Sequence, residues 1–231
     1  FEEDDGYMLM LEPLGIDAAR PLVYDFDLLD KDLPADLNET PLRDLAFVVF
    51  DSETTGLNPA KDDVVQLGAV RIVNGKIIAT ETFETLVNPC RPIPSQSSKV
   101  HGITDDMVAE APDFDRAGAA FQSFVGNAVL VAHNAPFDMA FLNRGSPSDN
   151  GRFSNAVMYT VHLSAIVFGG SAVHTLDALC DRLNVSIPDI SRHTALGDAL
   201  ATAEAFVALL PILEARGLST FGIVREEAQK H

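Results

Sequence analysis

Ala46-Phe-Val-Val-Phe50 is a short, continuous apolar run rich in β-branched and aromatic side chains. That pattern predicts a strand buried on both faces. Turn formers break it at Thr54-Thr55-Gly56-Leu57-Asn58-Pro59. A second strand is predicted over Val64–Val73 and a third over Lys76–Val87. Asn74-Gly75 joins them, and both residues tolerate the positive φ of a tight hairpin, so these strands are antiparallel neighbours. Asn88–Ser97 reads as a Pro-containing connection.

Beyond it the apolar spacing changes from about 2 to about 3.6 residues. A short helix is predicted from Thr104, and another from Pro112 or Asp113 to about Phe124. Ala128–Ala132 is a fourth, buried strand. Asn134 can cap a helix that begins at Ala135-Pro136, where proline is tolerated. A polar loop over 144–156 precedes a short strand at Ala156–Tyr159. Helices follow over Val161–Phe168, Thr175–Leu183, Thr194–Ala215 (kinked near Pro211) and Thr220–Lys230. Meandering strands followed by alternating helices and strands predict an α/β fold, a mixed sheet with helices on its faces. Ligands in such folds sit at the carboxyl ends of the strands.

A chain of 231 residues, 47% of them hydrophobic, can bury a core without disulfides or structural zinc. The longest apolar run, Ala205–Leu213, spans nine residues and contains Pro211, well short of the roughly 20 residues of a membrane span. The first residues, Phe1-Glu2-Glu3-Asp4-Asp5, are acidic and do not read as a cleavable signal peptide. The chain starts at Phe1 and reads as a fragment or processed form of a longer protein. Cys90 and Cys180 are the only cysteines and give neither zinc spacing nor a disulfide framework, so a reducing, cytoplasmic setting without a membrane partner is the expectation.

Charge divides the chain. Residues 1–44 carry thirteen acids and three bases, with Pro13, Pro21, Pro34 and Pro41 and no sustained period. They read as an acidic extension, a remnant or linker of a larger protein, in which Tyr24, Phe26, Leu28 and Leu29 could pack on a domain formed by 45–231. The net charge of −18 excludes a protein that grips nucleic acid through its whole surface. A small local patch from Lys99, Arg144, Arg152 and Arg192 is the expected exception.

The candidate chemistry is acidic. Asp51 and Glu53 end the first strand and, two apart, point to one face. Asp138 lies about a turn into the helix after the fourth strand, where an acid also serves ordinary dipole compensation. Asp198 falls in an apolar helix beside Leu196, Ala199 and Leu200, where a bare carboxylate needs a partner. His193 precedes it and can swing over the same site; alone it reads equally as a cap or a surface histidine. Four converging carboxylates without a basic counterpart call for cations, and hard oxygen ligands favour Mg²⁺ or Mn²⁺ over zinc. Two such ions suit in-line phosphoryl displacement, with histidine as the base near neutral pH.

Phe50-Asp51-Ser-Glu53-Thr54-Thr55-Gly56-Leu57 resembles the first motif of the DEDD 3′–5′ exonucleases. Val100-His101-Gly102-Ile103-Thr104 resembles their connector. His133-Asn134-Ala135-Pro136-Phe137-Asp138 is similar to the second motif. His193-Thr194-Ala195-Leu196-Gly197-Asp198 is similar to the third, in the histidine (DEDDh, DnaQ-like) form. This family includes the proofreading exonuclease (epsilon) subunits of bacterial DNA polymerase III and their free-standing relatives, and the likeness spans about residues 45–216. It implies a ribonuclease H-like fold, with the first three strands antiparallel and the next two parallel to the first. It implies a 3′–5′ exonuclease that releases nucleoside 5′-monophosphates from single-stranded or frayed 3′ ends. Asp51, Glu53, Asp138 and Asp198 would be the metal ligands and His193 the general base. Thr54 and the Thr55 backbone would meet the 3′-hydroxyl, Leu57 would wedge the terminal base, and Asn134, Phe137 and His101 would line the nucleotide pocket. Ser52 stands where relatives often have Thr, and Tyr159 where they often have Asp. A polymerase or another domain of the full-length chain is the implied partner. An exoribonuclease of the same fold and a non-enzymatic adaptor are the alternatives.

Overall fold

The computed structural model describes residues 35–144, 152–186 and 193–230. The expected packing of Tyr24 to Leu29, most of the 144–156 loop and Arg192 lie outside them. In chain order the elements are α1 (Ala35–Glu39), β1 (Ala46–Thr54), β2 (Val64–Val73), β3 (Lys76–Leu86), α2 (Ser95–His101), α3 (Asp105–Val108) and α4 (Phe114–Val125). They continue with β4 (Val129–Ala132), α5 (Ala135–Asn143), β5 (Val157–Tyr159), α6 (Thr160–Phe168), α7 (Leu176–Leu183), α8 (Ala195–Ala215) and α9 (Phe221–Ala228).

The strands form one five-stranded sheet in the order β3-β2-β1-β4-β5. β1–β2 and β2–β3 are antiparallel; β1–β4 and β4–β5 are parallel. This is the mixed sheet of the ribonuclease H-like fold that the motifs imply. Asn74 and Gly75 both take positive φ, 52° and 68°, at the β2–β3 hairpin. β1 is central, and its continuous apolar run follows from burial on both faces. Phe47 meets Phe206 of α8 edge-on at 4.8 Å, whereas Phe50 faces Phe121 of α4 at 5.6 Å. Odd-numbered residues of β1 therefore look toward α8 and even-numbered ones toward α4. Each of these fully buried rings contributes about 1.5–3 kcal/mol of transfer free energy.

Three features depart from the sequence reading. Residues 95–101 form α2, although the sequence pattern places 95–97 in the connection and predicts no element over 98–101; Ser-Gln-Ser-Ser-Lys-Val-His has no apolar period to announce it, and Gly102 ends it at φ 74°. Residues 35–44, placed in the extension, pack on the domain. Leu42 joins the main core at 2% exposure, its N–H donates to Ser219 O, and Phe221 N–H donates to Thr40 O. α8, at 21 residues, is long and apolar enough to cross a membrane, which a count of unbroken apolar residues had missed because Asp198, Thr202 and Glu204 interrupt it. Its Ala199, Ala203, Phe206, Leu209 and Leu213 are fully buried in the protein, as in a core helix.

Candidate active site

The alternation along β1 decides what its carboxyl end can do. Asp51 and Glu53 share the α8 side with Phe47, at 8% and 5% exposure. α8 lies across β1 and β2 and brings Asp198, one turn from its start, to the same place. One carboxylate oxygen from each of Asp51, Glu53 and Asp198 can be chosen so that all lie within 4.8 Å of one another. Like charges gathered this closely, two of them buried, favour a cation among them. The donors are all hard oxygens, and the group could coordinate a divalent cation.

Asp138 is placed differently. It is 1% exposed on α5, and its Oδ1 accepts a hydrogen bond from Ser52 Oγ at 2.5 Å. Ser52 has the opposite parity to Asp51 and Glu53, so this contact belongs to the α4 side of the strand. Asp138 is thus set against the end of β1 but is not a member of the close trio. In the sequence Ser52 stands out only as a replacement for the Thr of relatives; its hydroxyl is the donor to this buried carboxylate.

His193 is exposed and adopts a left-handed backbone, φ 59°, immediately before Thr194. Thr194 is the N-cap of α8, and its Oγ1 accepts the Gly197 N–H at 3.1 Å. A reversal at His193 followed by a cap fixes the register of the helix. His193 and Asp198 therefore enter from one short, well-anchored segment.

The candidate substrate contacts separate into exposed and buried ones. Leu57 is 47% exposed. Thr54 is buried, and its hydroxyl donates to Gly56 O at 2.6 Å. The Thr55 backbone that the sequence reading offered to a substrate hydroxyl is already engaged: its N–H donates to Asp63 O at 2.8 Å, and its O accepts from Ser97 Oγ at 2.7 Å. Asn134 is the N-cap residue of α5 but makes no side-chain capping bond, and both it and Phe137 are buried; Phe137 packs on Phe141, ring centroids 5.0 Å apart. His101 is buried, and its Nδ1 accepts the Ile103 N–H at 3.1 Å, so the ring proton of that tautomer is on Nε2.

The loop that carries Leu57 is fastened from outside, which the sequence reading missed. Arg144, just past α5, bonds Pro59 O at 3.1 Å, Asp62 O and the Asp63 carboxylate. Arg91 bonds Lys61 O and reaches Asp63 at 3.3 Å. Asp62 accepts the Asn58 N–H at 2.9 Å, and a Cβ at Gly56 would strike the Asp62 carboxylate. Of the expected basic patch, the described arginines are spent within the protein, Arg144 pairing with Asp63 and Arg152 with Asp115, while Lys99 is exposed and Arg192 lies outside the described residues. A cleft of about 240 Å³ opens beside Arg144 and Phe141, but none of Asp51, Glu53, Asp138, His193 or Asp198 lines it. Asp63, Asp113 and Asp115 do, which makes it a poor seat for phosphate.

Residues 48–206 match the RNase T family, described as "Exonuclease". The chain is 56% identical over 220 residues to a DNA polymerase III subunit epsilon-like protein of Rhodobacter capsulatus, a match covering 95% of this chain and 31% of that one. It is 39% identical over 179 residues to a PolC-type DNA polymerase III of Halalkalibacterium halodurans, covering 76% of this chain and 12% of that one. The chain thus spans less than a third of the length of these relatives. Among solved structures it is similar to Exonuclease X in complex with 5′ overhanging duplex DNA, with a TM-score of 0.60, 28% identity, and coverage of 79% of this chain and 99% of that one. The nuclease domain of 3′hExo, a DEDDh family member bound to rAMP, shares the fold at a TM-score of 0.63 and 16% identity, over 78% of this chain and 97% of that one.

Proposed function

The chain belongs to the DEDDh exonuclease family, and on that premise we propose that it is a metal-dependent 3′–5′ exonuclease acting on single-stranded or frayed DNA. It hydrolyses the terminal phosphodiester and releases a nucleoside 5′-monophosphate. The observation that carries this reading is the approach of Asp51, Glu53 and Asp198 to within 4.8 Å of one another at the end of the central strand. These three, with Asp138 beside them, would hold two divalent cations, Mg²⁺ or Mn²⁺. The chemistry such ions supply when bound is an activated water and neutralisation of charge at the leaving 3′-oxygen.

The chain's own groups do the rest. His193, exposed and five residues ahead of Asp198, takes the proton of the attacking water at an imidazole nitrogen; histidine is the side chain suited to that exchange near neutral pH. Ser52 holds the Asp138 carboxylate in one orientation. Leu57, on its fastened loop, stacks on the terminal base and separates it from its neighbour. Thr54, Thr55, His101, Asn134 and Phe137 shape the wall behind that nucleotide; the buried ones act through packing.

DNA as substrate is supported by the polymerase relatives and by the DNA complex of Exonuclease X. With a whole-chain charge of −18 and with Arg144 and Arg152 paired internally, the domain holds only a few nucleotides, and a polymerase or a further domain of the full-length chain supplies processivity. The segment 35–44 belongs with the domain, since α1 packs on α9, and the protein works in the cytoplasm. The test offers a labelled single strand, a mismatched primer end and a short RNA, each with Mn²⁺ and with EDTA. Shortening of the DNA strands from the 3′ end with Mn²⁺ alone is expected. Faster cleavage of RNA would reassign the substrate, and no cleavage of any strand would refute the reading. His193→Ala is expected to lower kcat by about 10²–10⁴-fold while a Mn²⁺-dependent rise in melting temperature persists.

A further inference from the structure

The β2 residues that face the two β1 carboxylates hold no charge and little bulk. Glu53 pairs with Gln66, and Asp51 with Gly68. Directly paired residues of antiparallel strands project to the same face, so Gln66 and Gly68 lie beneath the start of α8 together with the carboxylates. Gln66 is buried. Its Oε1 accepts the Ala195 N–H at 3.0 Å, and its Nε2 donates to Glu84 of β3 at 3.2 Å. At Gly68 a Cβ would collide with the backbone of Ala195 and Leu196, so glycine there permits a close approach of helix to sheet.

The first N–H groups of a helix have no acceptor within it. At α8, Thr194 serves the Gly197 N–H from within the segment, and Gln66 serves that of Ala195 from 129 residues away. The first is a local cap that travels with the helix. The second ties the helix start to the strand next to Asp51 and Glu53. Asp198 closes the first turn, its N–H donating to Thr194 O at 2.9 Å, so any shift of that turn moves its carboxylate relative to the other two.

We infer that Gln66, oriented by Glu84 and admitted by the gap at Gly68, is a positioning residue that holds the first turn of α8 so that Asp198 meets Asp51 and Glu53. This rests on the exonuclease reading of the same site. Gln66 touches no reacting atom; it sets the spacing of the groups that do.

The test compares Gln66→Leu with the swap Gln66→Glu plus Glu84→Gln, in which a carboxylate oxygen still faces Ala195 and an amide still bonds it. For Gln66→Leu, kcat on a single-stranded oligonucleotide is expected to fall about 10–100-fold and the half-saturating Mn²⁺ concentration to rise by a similar factor, because groups that orient metal ligands carry effects of that size. KM for the oligonucleotide stays unchanged. The swap is expected to restore both kcat and the Mn²⁺ requirement. Gln66→Asn, one methylene shorter, gives the same readings if the leucine variant does not fold. Unchanged kcat and Mn²⁺ requirement alongside a lowered melting temperature would reduce Gln66 to a helix cap and overturn the inference. A swap as impaired as the single variant would overturn it too. If the unsubstituted chain cleaves nothing, the exonuclease reading fails by itself. Mn²⁺ titration followed by melting temperature still reports whether Gln66 governs the carboxylate site.

Discussion

On the α8 side of β1, Asp51 and Glu53 meet a third acid, Asp198, from another part of the chain. On the α4 side of the same strand, one residue away, Ser52 donates a hydrogen bond to Asp138. The same backbone thus buries acidic groups in two ways. A hydroxyl donor suits one carboxylate and leaves it ordered in the free protein. Charged carboxylates about 5 Å apart repel by roughly 3 kcal/mol per pair at an effective dielectric of about 20, and one oxygen of each of the three acids can be chosen within 4.8 Å of the others. The difference sets three acids on the α8 side and a fourth, Asp138, held by a hydroxyl on the α4 side, and these four are the residues proposed to hold the ions.

The largest effect that could break this contrast is expected at Asp198. Asp198→Asn keeps the shape and removes one charge from the trio. Without metal, the variant is expected to melt at a higher temperature than the parent, since repulsion is relieved. Saturating Mn²⁺, at about 100 times its Kd, should stabilise the parent by about 2.7 kcal/mol and raise its melting temperature by roughly 5–10 °C. In the variant that rise should largely disappear, together with nuclease activity. Melting curves in EDTA and in Mn²⁺ give both results. An equal rise in both proteins would mean that the ion binds elsewhere and that the trio is not its site.

A smaller effect is expected on the other side. Ser52→Ala removes the donor to a buried carboxylate, and a hydrogen bond to a charged group is worth about 1.5–3 kcal/mol. Stability by urea denaturation should fall by that amount, while the Mn²⁺-dependent rise in melting temperature stays close to the parent's. Ser52→Thr, which keeps the hydroxyl, should fall by less. A Ser52→Ala variant that lost the metal response as Asp198→Asn does would show that metal binding depends on the orientation of Asp138 as much as on the trio.

The sequence carried the α8 side more clearly than the α4 side, for a physical reason. Asp51 and Glu53 are two apart on a strand, and strand period alone puts them on one face. Asp198 sits among alanines and leucines, where a carboxylate contradicts its surroundings. Ser52 contradicts nothing locally; its role exists only because α5, 86 residues on, delivers Asp138 to it. Gln66 and Gly68 are likewise ordinary strand residues until α8 is laid over them. The arginines misled for the same reason: their charge is visible in the sequence, but the pairing of Arg144 with Asp63 and of Arg152 with Asp115 is a tertiary fact. Leu42 lay in a Pro-rich acidic stretch whose composition outweighed one apolar side chain that the core absorbs.

The smallest effect concerns the two thiols, which report on the two sides without touching either site. Cys180 lies on α7 behind α8, its Sγ 4.0 Å from Ala201 O. Burial first, and then the nearby carboxylates of Asp177 and Asp181, push its thiol up to about 12. Cys90 is exposed at the rim of the cleft beside Phe141. Alkylation proceeds through the thiolate, so at about pH 8 the native protein should take up one label, at Cys90, and a second only in denaturant. The sign of the linked stability follows from the same shift. An unfolded Cys180 would ionise near its ordinary value of 9.0 and the folded one near 12, so its contribution is full below 9.0 and is lost as pH rises through that interval. Cys180→Ala should flatten that alkaline loss slightly without moving the Mn²⁺ response. Labelling of native Cys180 at the rate of Cys90 would mean that α7 opens from α8, and then the wall that carries Asp198 would be too mobile to hold three carboxylates together before metal arrives.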